Sequence, residues 1–374
     1  MKYCKKCVYP EVAVNLSIDD DGICSSCRSF EEFEKLTPSF WKKRKERFDE
    51  IINQTLKNNK SNYDCIVPVS GGKDSYYQTH VMVSNYGLKP LLITYHGNNF
   101  LPSGDYNRDR MREVFNADHI VYGPSIDVLK KLNRIGFKKM GDMNWHAHCG
   151  IFTTPIQLAV KFKIPLIIWG EVAWDISGMH SPEDFVEFSA RVRHEHSLRG
   201  YEWFNFLDDP KDKLTEKDML WAKYPSDKEI LDVGVRGLYI GNFFKWDPNY
   251  HAKLMNKKYN WKSSFQTFER TYRKISNLDD RYENGIHDLM KYIKFGYGRA
   301  SDHASKDIRT GYLSRNKGIE YVKKYDHVVS SDLDYWLDYV NMKEEDFWKT
   351  ANTFRDKRVW KKVKSEWVKK NLWD

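Results

Sequence analysis

The sequence has no long hydrophobic run. A bilayer-spanning helix needs roughly 18 or more consecutive apolar residues, whereas the densest apolar stretch here, Ile164 to Trp169, is six residues long and contains a proline. We therefore expect no membrane span. The first residues, Met1 to Cys4, carry a charge but are followed by no apolar core of the kind that a secretory signal has. This absence predicts a cytoplasmic protein.

The length and the charge of the chain exclude fewer classes of protein. The chain has 374 residues, more than the roughly 100–200 of one domain, so we expect two or three packed units. Its 61 Lys and Arg residues against 52 Asp and Glu residues give a formal charge of +9. This excess suits a protein that handles anions and is too small to indicate a histone-like one. Nucleic acid, nucleotides and acidic sugars all remain open as ligands.

Cysteine is scarce, and four of the six cysteines fall into a pattern. Cys4-x2-Cys7 and Cys24-x2-Cys27 are separated by sixteen residues, the spacing of a structural zinc site. Four sulfurs close the coordination shell, so we predict a zinc ion that stabilises the fold and takes no part in chemistry. The segment between the pairs, with a turn at Asp19–Gly22, predicts a short β ribbon.

Strand and helix patterns alternate after the cysteine segment. Five short apolar runs bounded by turn residues predict buried strands: Cys65–Val69, in which Cys65 is a packed core residue, Pro90–Tyr95, His119–Tyr122, Pro165–Trp169 and Gly237–Gly241. Helical segments such as Ser75–Tyr86 and Pro155–Phe162 lie between them, the second with Thr154 as its N-cap. Alternation of this kind predicts an α/β fold with a parallel, doubly wound, Rossmann-like sheet.

The remaining segments read as helical. The basic run that begins at Trp41 precedes apolar residues at helical spacing, which favours the solvated face of an amphipathic helix over a nucleic-acid-binding arm. We predict no strand beyond Lys245, and we expect the last twenty residues, Arg355–Asp374, to form a docked amphipathic helix. The predicted divisions are a zinc ribbon over 1–35, a basic helix or linker over 36–60, the α/β domain over 61–244 and a helical region over 245–374.

The segment after the first predicted strand carries the most specific motif. Ser70-Gly-Gly-Lys-Asp-Ser75 joins a strand directly to a helix, so its backbone N–H groups form an anion-binding nest at a positive helix end. Lys73 adds a positive charge, the hydroxyl groups of Ser70 and Ser75 can bond phosphate oxygens, and Asp74 can hold the Mg²⁺ that accompanies a polyphosphate. The spacing is not that of a Walker loop. A turn without ligand is the alternative.

This loop resembles the pyrophosphate-binding loop of the N-type ATP pyrophosphatases, the PP-loop enzymes, which cleave ATP between its α and β phosphates and activate a carbonyl oxygen as an adenylate. The resemblance implies catalytic roles for Lys73, Asp74 and Glu171. It implies that ATP is bound by Ser70, Gly71, Gly72, Lys73, Asp74, Ser75, Thr94 and Gly170. Glu171 directly follows a predicted strand, where it could meet metal, sugar or ammonia or be a surface carboxylate.

Further segments resemble the N-acetyl sugar amidotransferases of the WbpG and PseA type: Cys149–Gln157, Ile168–Glu171 and Lys294–Arg309, together with the cysteine pairs. The resemblance implies an ATP-dependent ligase that converts the acetamido group of a bacterial surface sugar into an acetamidino group, by way of an O-adenylyl intermediate and ammonia. ATP, Mg²⁺ and structural zinc are the implied cofactors, and an acidic or nucleotide-linked acetamido sugar is the implied substrate.

Candidate substrate residues lie in two places. His148 and Cys149 share a predicted loop with His146, where contact with substrate, metal binding and a purely structural role all remain open. The second group is Tyr297 and, beside it, a predicted helical segment with Arg299, Asp302, His303 and Asp307 near one face and Arg309 at its end; an intrahelical salt-bridge face is the alternative.

No nucleophilic cysteine of a fused glutaminase is apparent, because residue 2 is Lys and neither Cys65 nor Cys149 lies in a G-x-C-x-G turn. We therefore expect a separate glutaminase subunit to supply ammonia. A tRNA-thiolating PP-loop enzyme is the alternative enzyme, although such enzymes commonly carry paired cysteines in the catalytic domain. A zinc-ribbon protein that binds nucleic acid is the non-enzymatic alternative, opposed by the intact loop.

Overall fold

The computed structural model describes residues 1–170, 185, 187–280 and 282–374. Its centre is a six-stranded sheet in the order β3-β2-β1-β4-β6-β5, in which every neighbouring pair is parallel except the antiparallel pair of β5 and β6. The strands are β1 (Cys65–Pro68), β2 (Pro90–Tyr95), β3 (Asp118–Tyr122), β4 (Leu166–Trp169), β5 (Glu187–Phe188) and β6 (Arg236–Tyr239). The five predicted strands and the doubly wound α/β class are confirmed.

Helices cover both faces of the sheet. In chain order the helices up to β6 are α1 (Ser25–Glu34), α2 (Pro38–Asn58), α3 (Lys73–His80, continued by a π-helical turn over Val81–Asn85), α4 (Pro102–Phe115), α5 (Ile126–Met140), α6 (Trp145–Phe162), the short α7 (Ala190–Val192) and α8 (Asp227–Val233). Alternate residues of β1 enter different cores. Cys65 and Val67 pack with residues of α2, α3 and α4, whereas Ile66 packs with residues of α6.

The order of the strands locates a ligand site. Strands β1 and β4 are neighbours, with Ile66 paired to Ile167, although two strands lie between them in the sequence. The chain leaves β1 for α3 on one face, and α6, which precedes β4, packs on the other face. In an open α/β sheet this divergence leaves a crevice at the carboxyl ends of the two strands.

The predicted start of one helix is wrong. We expected a helix from Pro155 to Phe162 with Thr154 as its N-cap, but α6 begins at Trp145 and Pro155 lies inside it. A proline there removes one backbone hydrogen bond. Burial of the earlier turns compensates, because Trp145 and Cys149 are almost fully enclosed in the core. The predicted loop containing the two histidines is therefore the first part of a helix.

The C-terminal region is mainly helical, as expected. It contains α9 (Pro248–Tyr259), α10 (Tyr282–Phe295), α11 (Arg299–Arg309), α12 (Arg315–Tyr325), α13 (Asp332–Val340) and α14 (Glu344–Thr353). A separate core joins α10, α13 and α14 to the end of α5 around Trp336 and Phe347. Among the described residues, no helix is long and apolar enough to cross a bilayer.

The final segment differs from its predicted form. Instead of an amphipathic helix it contains a hairpin of β7 (Lys361–Val363) and β8 (Glu366–Val368). Lys364 takes a positive φ of 55° in the turn, which a helix cannot contain. The Arg355 guanidinium lies 4.3 Å from the ring centroid of Trp360 and 5.4 Å from that of Trp367. The tryptophans are thus held by cation–π contacts and not by a helical stripe.

The cysteine segment and α2 are close to expectation. Isolated antiparallel bridges join Tyr3 to Pro10 and Ile18 to Cys24, so the ribbon is a minimal one. Helix α2 begins after Thr37, whose side chain accepts a hydrogen bond from the Phe40 N–H. The side chain of Lys42 in the basic run is 79% exposed, as expected for a solvated face.

The hairpin leads to a test. At a positive φ, glycine avoids the strain that Lys364 bears, so we expect Lys364→Gly to leave the free energy of unfolding unchanged or raise it by up to about 1 kcal/mol. In a helix interior the same change would cost roughly 0.5–1 kcal/mol. Urea unfolding of the full chain measures the difference. Lys361→Gly, within β7, is the control and should destabilise; equal losses for the two variants would contradict the hairpin.

Candidate active site

The loop between β1 and α3 can be built only with glycine at residue 71. Gly71 has a φ of +78°, and a Cβ there would lie 2.6 Å from the backbone nitrogen of Arg108 and 2.8 Å from the carbonyl oxygen of Gly104, both in α4. The Trp261 indole N–H fixes the loop by donating to the Gly71 carbonyl oxygen at 2.9 Å. No side chain caps the start of α3, so its first N–H groups are available to an anion.

Lys73 and Asp74 form a charged pair at the start of α3. The Lys73 Nζ lies 2.7 Å from Asp74 Oδ2, and His251 Nδ1 of α9 lies 3.4 Å from Asp74 Oδ1. Burial would raise the pKa of Asp74, but the charge of Lys73 and the hydrogen bond with His251 outweigh it and hold that pKa below its ordinary value. Asp74 is therefore a carboxylate at neutral pH. The loop hydroxyl of Ser75 donates to the Gly72 carbonyl oxygen at 2.9 Å.

His251 is a site residue that the sequence did not reveal. It is fully buried, its ring stacks on Tyr77 with the centroids 3.7 Å apart, and Trp246 meets it edge-on at 4.5 Å. A single histidine so far along the chain from Asp74 carries no local signal. Packing of α3 against α9 brings the two together.

A cleft of about 670 Å³ opens from this loop. One side is the carboxyl edge of the sheet with the start of α6, and the other is built from α10, α11 and the segment before α10. The sequence-predicted site residues that line it are Ser70, Lys73, Asp74, Ser75, Gly170, His148, Arg299, Asp302 and His303. Residues distant in sequence thus share one cavity at the crevice that the strand order creates.

Other predicted site residues lie beside the cleft. Thr94 is buried and donates to the Val69 carbonyl oxygen at 2.5 Å, so its hydroxyl joins β1 to β2. Tyr297 packs against the cysteine segment, where its hydroxyl oxygen accepts from the Val14 N–H at 3.2 Å. Arg309 lines a smaller neighbouring cavity and lies 5.8 Å from the ring centroid of Tyr9. Glu171 is outside the described residues.

Cys149 is enclosed behind the cleft wall. Its Sγ is 3.6 Å from Thr153 Oγ1 and accepts from Arg193 Nη2 at 3.7 Å, and the side chain is fully buried. Burial raises its pKa to about 11, although Arg193 opposes the shift. At neutral pH Cys149 is therefore a protonated thiol, which is a poor nucleophile.

A buried polar network forms part of the cleft wall. His146 Nε2 of α6 lies 2.6 Å from Glu283 Oε2 of α10, and both side chains are almost completely buried. The other Glu283 oxygen accepts from the side-chain amides of Asn99 and Asn133, each at 3.0 Å. Tyr95 Oη lies 3.1 Å from His146 Nδ1. Both side-chain oxygens of Glu283 therefore have hydrogen-bond partners, as a buried polar group requires.

A second histidine–carboxyl pair lies one turn further along α10. His287 Nδ1 lies 3.0 Å from Asp142 Oδ1, and the His148 and His287 ring centroids are 6.1 Å apart. Burial lowers the pKa of His148 to about 3, although Asp142 opposes the shift. His148 is thus a neutral imidazole in the cleft. The sequence did contain a signal for this wall: Glu283, His287 and Lys291 recur every four residues, as a polar stripe on one helix face does.

Charged side chains of the C-terminal wall are paired. Arg299 Nη2 lies 2.9 Å from Asp288 Oδ1, Lys291 Nζ lies 2.5 Å from Asp302 Oδ2, and Arg273 is bound to Asp307. Arg299, Asp302 and Asp307 lie in α11, which is the predicted helix, and Asp307 was expected on its polar face. His303 Nδ1 lies 2.6 Å from Thr271 Oγ1. Pairing fixes each group at the cleft before a ligand arrives.

Carboxyl groups that sequence reasoning missed line the same cleft, namely Asp279 and Asp280. Enclosure raises the pKa of Asp280, and the nearby charges of Glu283 and Asp279 raise it further. The Asp280 carboxylate also accepts from the Glu283 N–H at 3.1 Å, at the start of α10. The wall facing the loop therefore offers acceptors as well as cations.

The four predicted metal ligands do come together. The sulfurs of Cys4, Cys7, Cys24 and Cys27 are buried and lie within 4.8 Å of one another. The Cys4–Cys27 and Cys7–Cys24 Sγ distances are 3.9 and 3.6 Å. Tetrahedral ligands about 2.3 Å from a metal would be about 3.8 Å apart, so the cluster has the size that a zinc ion needs. The backbone N–H groups of Cys7 and Cys24 donate to Cys4 Sγ at 3.4 and 3.3 Å.

Fold and site together define a mostly parallel α/β protein in which a glycine-rich anion loop faces a helical C-terminal region across one cleft. Residues 262–372 match the family model described as LPS biosynthesis protein WbpG-like, C-terminal domain. The resemblance to the WbpG type is thereby confirmed over that segment, which contains Arg273, Glu283, Arg299 and His303 of the cleft wall. The segment is less than a third of the chain.

Solved structures show distant similarity. NH3-dependent NAD synthetase from Campylobacter jejuni has 14% identity, covers 38% of this chain and has a TM-score of 0.29; this chain covers 61% of its length. U34-tRNA thiolase NcsA from Methanococcus maripaludis, with its [4Fe-4S] cluster, has 14% identity and a TM-score of 0.33. The match covers 88% of this chain and 92% of the thiolase. NMN synthetase from Francisella tularensis has 13% identity and a TM-score of 0.28. The match covers 60% of this chain and 98% of the synthetase. No curated protein matches.

The two adjacent glycines of the loop provide a matched test. A Cβ on Gly71 meets backbone atoms at a positive φ, so we expect Gly71→Ala to lower the free energy of unfolding by about 2 kcal/mol or more. Gly72 has a φ of −71°, and a Cβ there would approach only the Ser70 hydroxyl, at 3.3 Å. Gly72→Ala should cost less than about 0.5 kcal/mol. Denaturant unfolding of both variants tests this, and equal losses would contradict the loop geometry.

Proposed function

We propose that this protein is an ATP-dependent amidotransferase that converts the acetamido group of a bacterial surface-polysaccharide or flagellar-glycan sugar into an acetamidino group. The amide oxygen attacks the α-phosphorus of ATP and pyrophosphate leaves, which gives an O-adenylyl intermediate. Ammonia then attacks the amide carbon and AMP leaves. The attacking nitrogen gives up one proton, so the step needs an acceptor for it.

One observation carries the proposal: the cleft is shared by the two parts of the chain that the reaction requires. Its loop side has the anion nest, Lys73 and Asp74, and its opposite side comes from the segment that matches the WbpG-like domain. A sugar bound against α10 and α11 would present its amide toward a nucleotide bound at the loop. Holding two reactants in this way supplies much of the rate enhancement in such a reaction.

The roles of the loop residues follow from their chemistry. The N–H groups at the start of α3, Lys73 and the Ser70 and Ser75 hydroxyls would bind the departing pyrophosphate. Asp74, a carboxylate with part of its surface exposed to the cleft, would hold Mg²⁺, which neutralises phosphate charge when bound. The backbone near Gly170 would contact ATP. Glu171 would meet the acceptor or the incoming ammonia.

The C-terminal wall would bind the sugar. Arg299, Lys291 and Arg273 bring positive charge to the cleft, and Asp302 and His303 offer hydrogen bonds. An acidic or nucleotide-linked acetamido sugar fits this mixture. His148 is neutral and lies in the cleft, where its imidazole would hydrogen-bond the sugar; its pKa of about 3 makes it a weak base, so solvent or the departing phosphate groups would take the proton that the attacking nitrogen releases.

Other parts of the assignment complete the proposal. The four-cysteine cluster would hold zinc, and a separate glutaminase subunit would supply ammonia. We place the reaction in the cytoplasm. The proposed division of the chain is a zinc ribbon over 1–35, a helical linker over 36–60, an ATP pyrophosphatase domain over 61–244 and a substrate-binding region over 245–374.

Transfer of sulfur to tRNA is the competing proposal. A thiolase needs an accessible thiolate, and the cysteines outside the metal cluster are Cys65 and Cys149, both fully buried. The raised pKa of Cys149, about 11, also opposes that role. The geometry therefore favours the sugar amidotransferase.

The direct test uses the full chain with ATP, Mg²⁺, an ammonium salt and a panel of acetamido sugars, free and nucleotide-linked, with and without a carboxylate. We expect AMP, pyrophosphate and a sugar product in which NH replaces one oxygen. Lys73→Ala should lower AMP formation by roughly 100-fold or more, because one charge at the transition state is lost. Lys42→Ala, at an exposed position on α2, is the control. AMP formation that requires tRNA and a sulfur donor would overturn the proposal.

The nitrogen source gives a separate prediction. The purified chain should turn over with ammonium salts and should fail with glutamine, because its non-cluster thiols are buried. Addition of a glutaminase should restore glutamine-dependent turnover. Mass spectrometry of the sugar with ¹⁵N-labelled donors measures this, and incorporation from glutamine by the chain alone would contradict a separate subunit.

A further inference from the structure

The four-cysteine module, residues 1–35, is fastened to the C-terminal region that borders the cleft. Arg315 of α12 donates from Nε to the Cys7 carbonyl oxygen at 3.0 Å and from Nη2 to that of Cys4 at 3.2 Å. Val8 is fully buried in a cluster with Ala304 of α11 and Val322 of α12. The loops that carry the sulfurs therefore lie against α12 and against α11, which forms part of the proposed sugar site.

Tyr9 extends from the module into the cleft wall. Its backbone N–H donates to Cys7 Sγ at 3.5 Å, and its hydroxyl donates to Asp302 Oδ1 at 3.1 Å. The side chain is 8% exposed and is one of those that line the cleft. The Tyr297 ring meets it edge-on, with the centroids 5.9 Å apart. One residue thus links a sulfur of the cluster to a carboxylate of the cleft.

Asp302 is held from two sides. Tyr9 donates to one carboxylate oxygen and Lys291 Nζ lies 2.5 Å from the other. Burial would raise the pKa of Asp302, but Lys291 and Arg299 outweigh it and keep the group ionised. The orientation of the carboxylate, and with it the position of the Lys291 ammonium group, therefore depends on a hydrogen bond from the cysteine module.

We propose that the four-cysteine module is a wall of the sugar-binding site and that Tyr9 is a positioning residue, which sets the Asp302–Lys291 pair for the acceptor sugar. This inference rests on the proposed function for the identity of the ligand. It differs from the expectation that the metal only stabilises the fold. Metal occupancy would then control sugar affinity through Cys7 and Tyr9, while nucleotide binding at the loop would be independent of it.

The position of the hydroxyl separates this proposal from a packing role. A phenylalanine at residue 9 would keep the ring contact with Tyr297 and the buried apolar surface. What it would lose is the bond to Asp302, which is a hydrogen bond to a charged group inside a cleft. The Tyr9→Phe substitution therefore removes the positioning contact and retains the packing.

Kinetics of the full, metal-loaded chain test the role of Tyr9. With the acetamido sugar that gives the highest AMP-forming turnover, we expect Tyr9→Phe to raise the sugar KM about tenfold and to leave the ATP KM within about twofold. Tyr3→Phe is the matched control, because Tyr3 belongs to the same module and its hydroxyl donates to the Lys370 carbonyl oxygen, at 3.4 Å. The double variant Tyr9→Phe/Asp302→Asn should be no worse than Asp302→Asn alone. An unchanged sugar KM in Tyr9→Phe would overturn the proposal.

A measurement without sugar keeps this test separate from the proposed function. Hydrogen exchange of the full chain is compared with Zn²⁺ bound and after chelation. We expect faster exchange in residues 291–303 after chelation and also in Zn²⁺-loaded Tyr9→Phe, with residues 126–140 of α5 unchanged in the latter. If residues 291–303 exchange equally in wild type and Tyr9→Phe, the coupling is absent and the inference fails, whatever reaction the cleft performs.

Discussion

The site depends on the divergence of the chain at the carboxyl ends of β1 and β4. These strands pair side by side, yet the helix after β1 and the helix before β4 cover opposite faces of the sheet. An unfilled crevice must follow between their connections. The glycine-rich loop lies at one side of the crevice. Residue 71 of this loop is glycine because α4 approaches it too closely for any side chain. The C-terminal region adds α10, α11 and the segment before α10 as the opposite wall of this opening.

Features that depend on residues close together in the sequence were predictable. Five strands, the loop at Ser70 and the paired cysteines are each defined by residues next to one another, so local chemistry suffices. The helix with Pro155 inside it was not predictable in this way, because burial of Trp145 and Cys149 outweighs the local preference of proline. The C-terminal hairpin was missed because Trp360, Val363 and Trp367 have a helical spacing, whereas the two tryptophans are held by Arg355, a contact that the spacing does not show.

The walls of the site were the least predictable part. Glu283 and His146 are separated by 137 positions, and Asp74 and His251 by 177. Neither pair has a pattern that a single sequence can display. The sequence showed the type of group on each element, such as the polar stripe of α10. It did not show with which residue each group pairs. Pairing among these groups explains how a chain with a +9 charge builds a cleft of both signs.

The hydrogen bonds around Tyr95, His146 and Glu283 have a fixed order of donors and acceptors. The Trp336 indole N–H donates to Asn133 Oδ1, the Asn133 side-chain amide donates to Glu283, and the other oxygen of Glu283 accepts from His146 Nε2. Because Nε2 carries the hydrogen of this bond, Nδ1 is the ring nitrogen that can accept, and the Tyr95 proton is directed to it. Toward the cleft, Tyr95 then presents lone pairs alone. A ligand group that meets this hydroxyl must bring its own hydrogen, which makes this part of the wall selective for N–H and O–H groups.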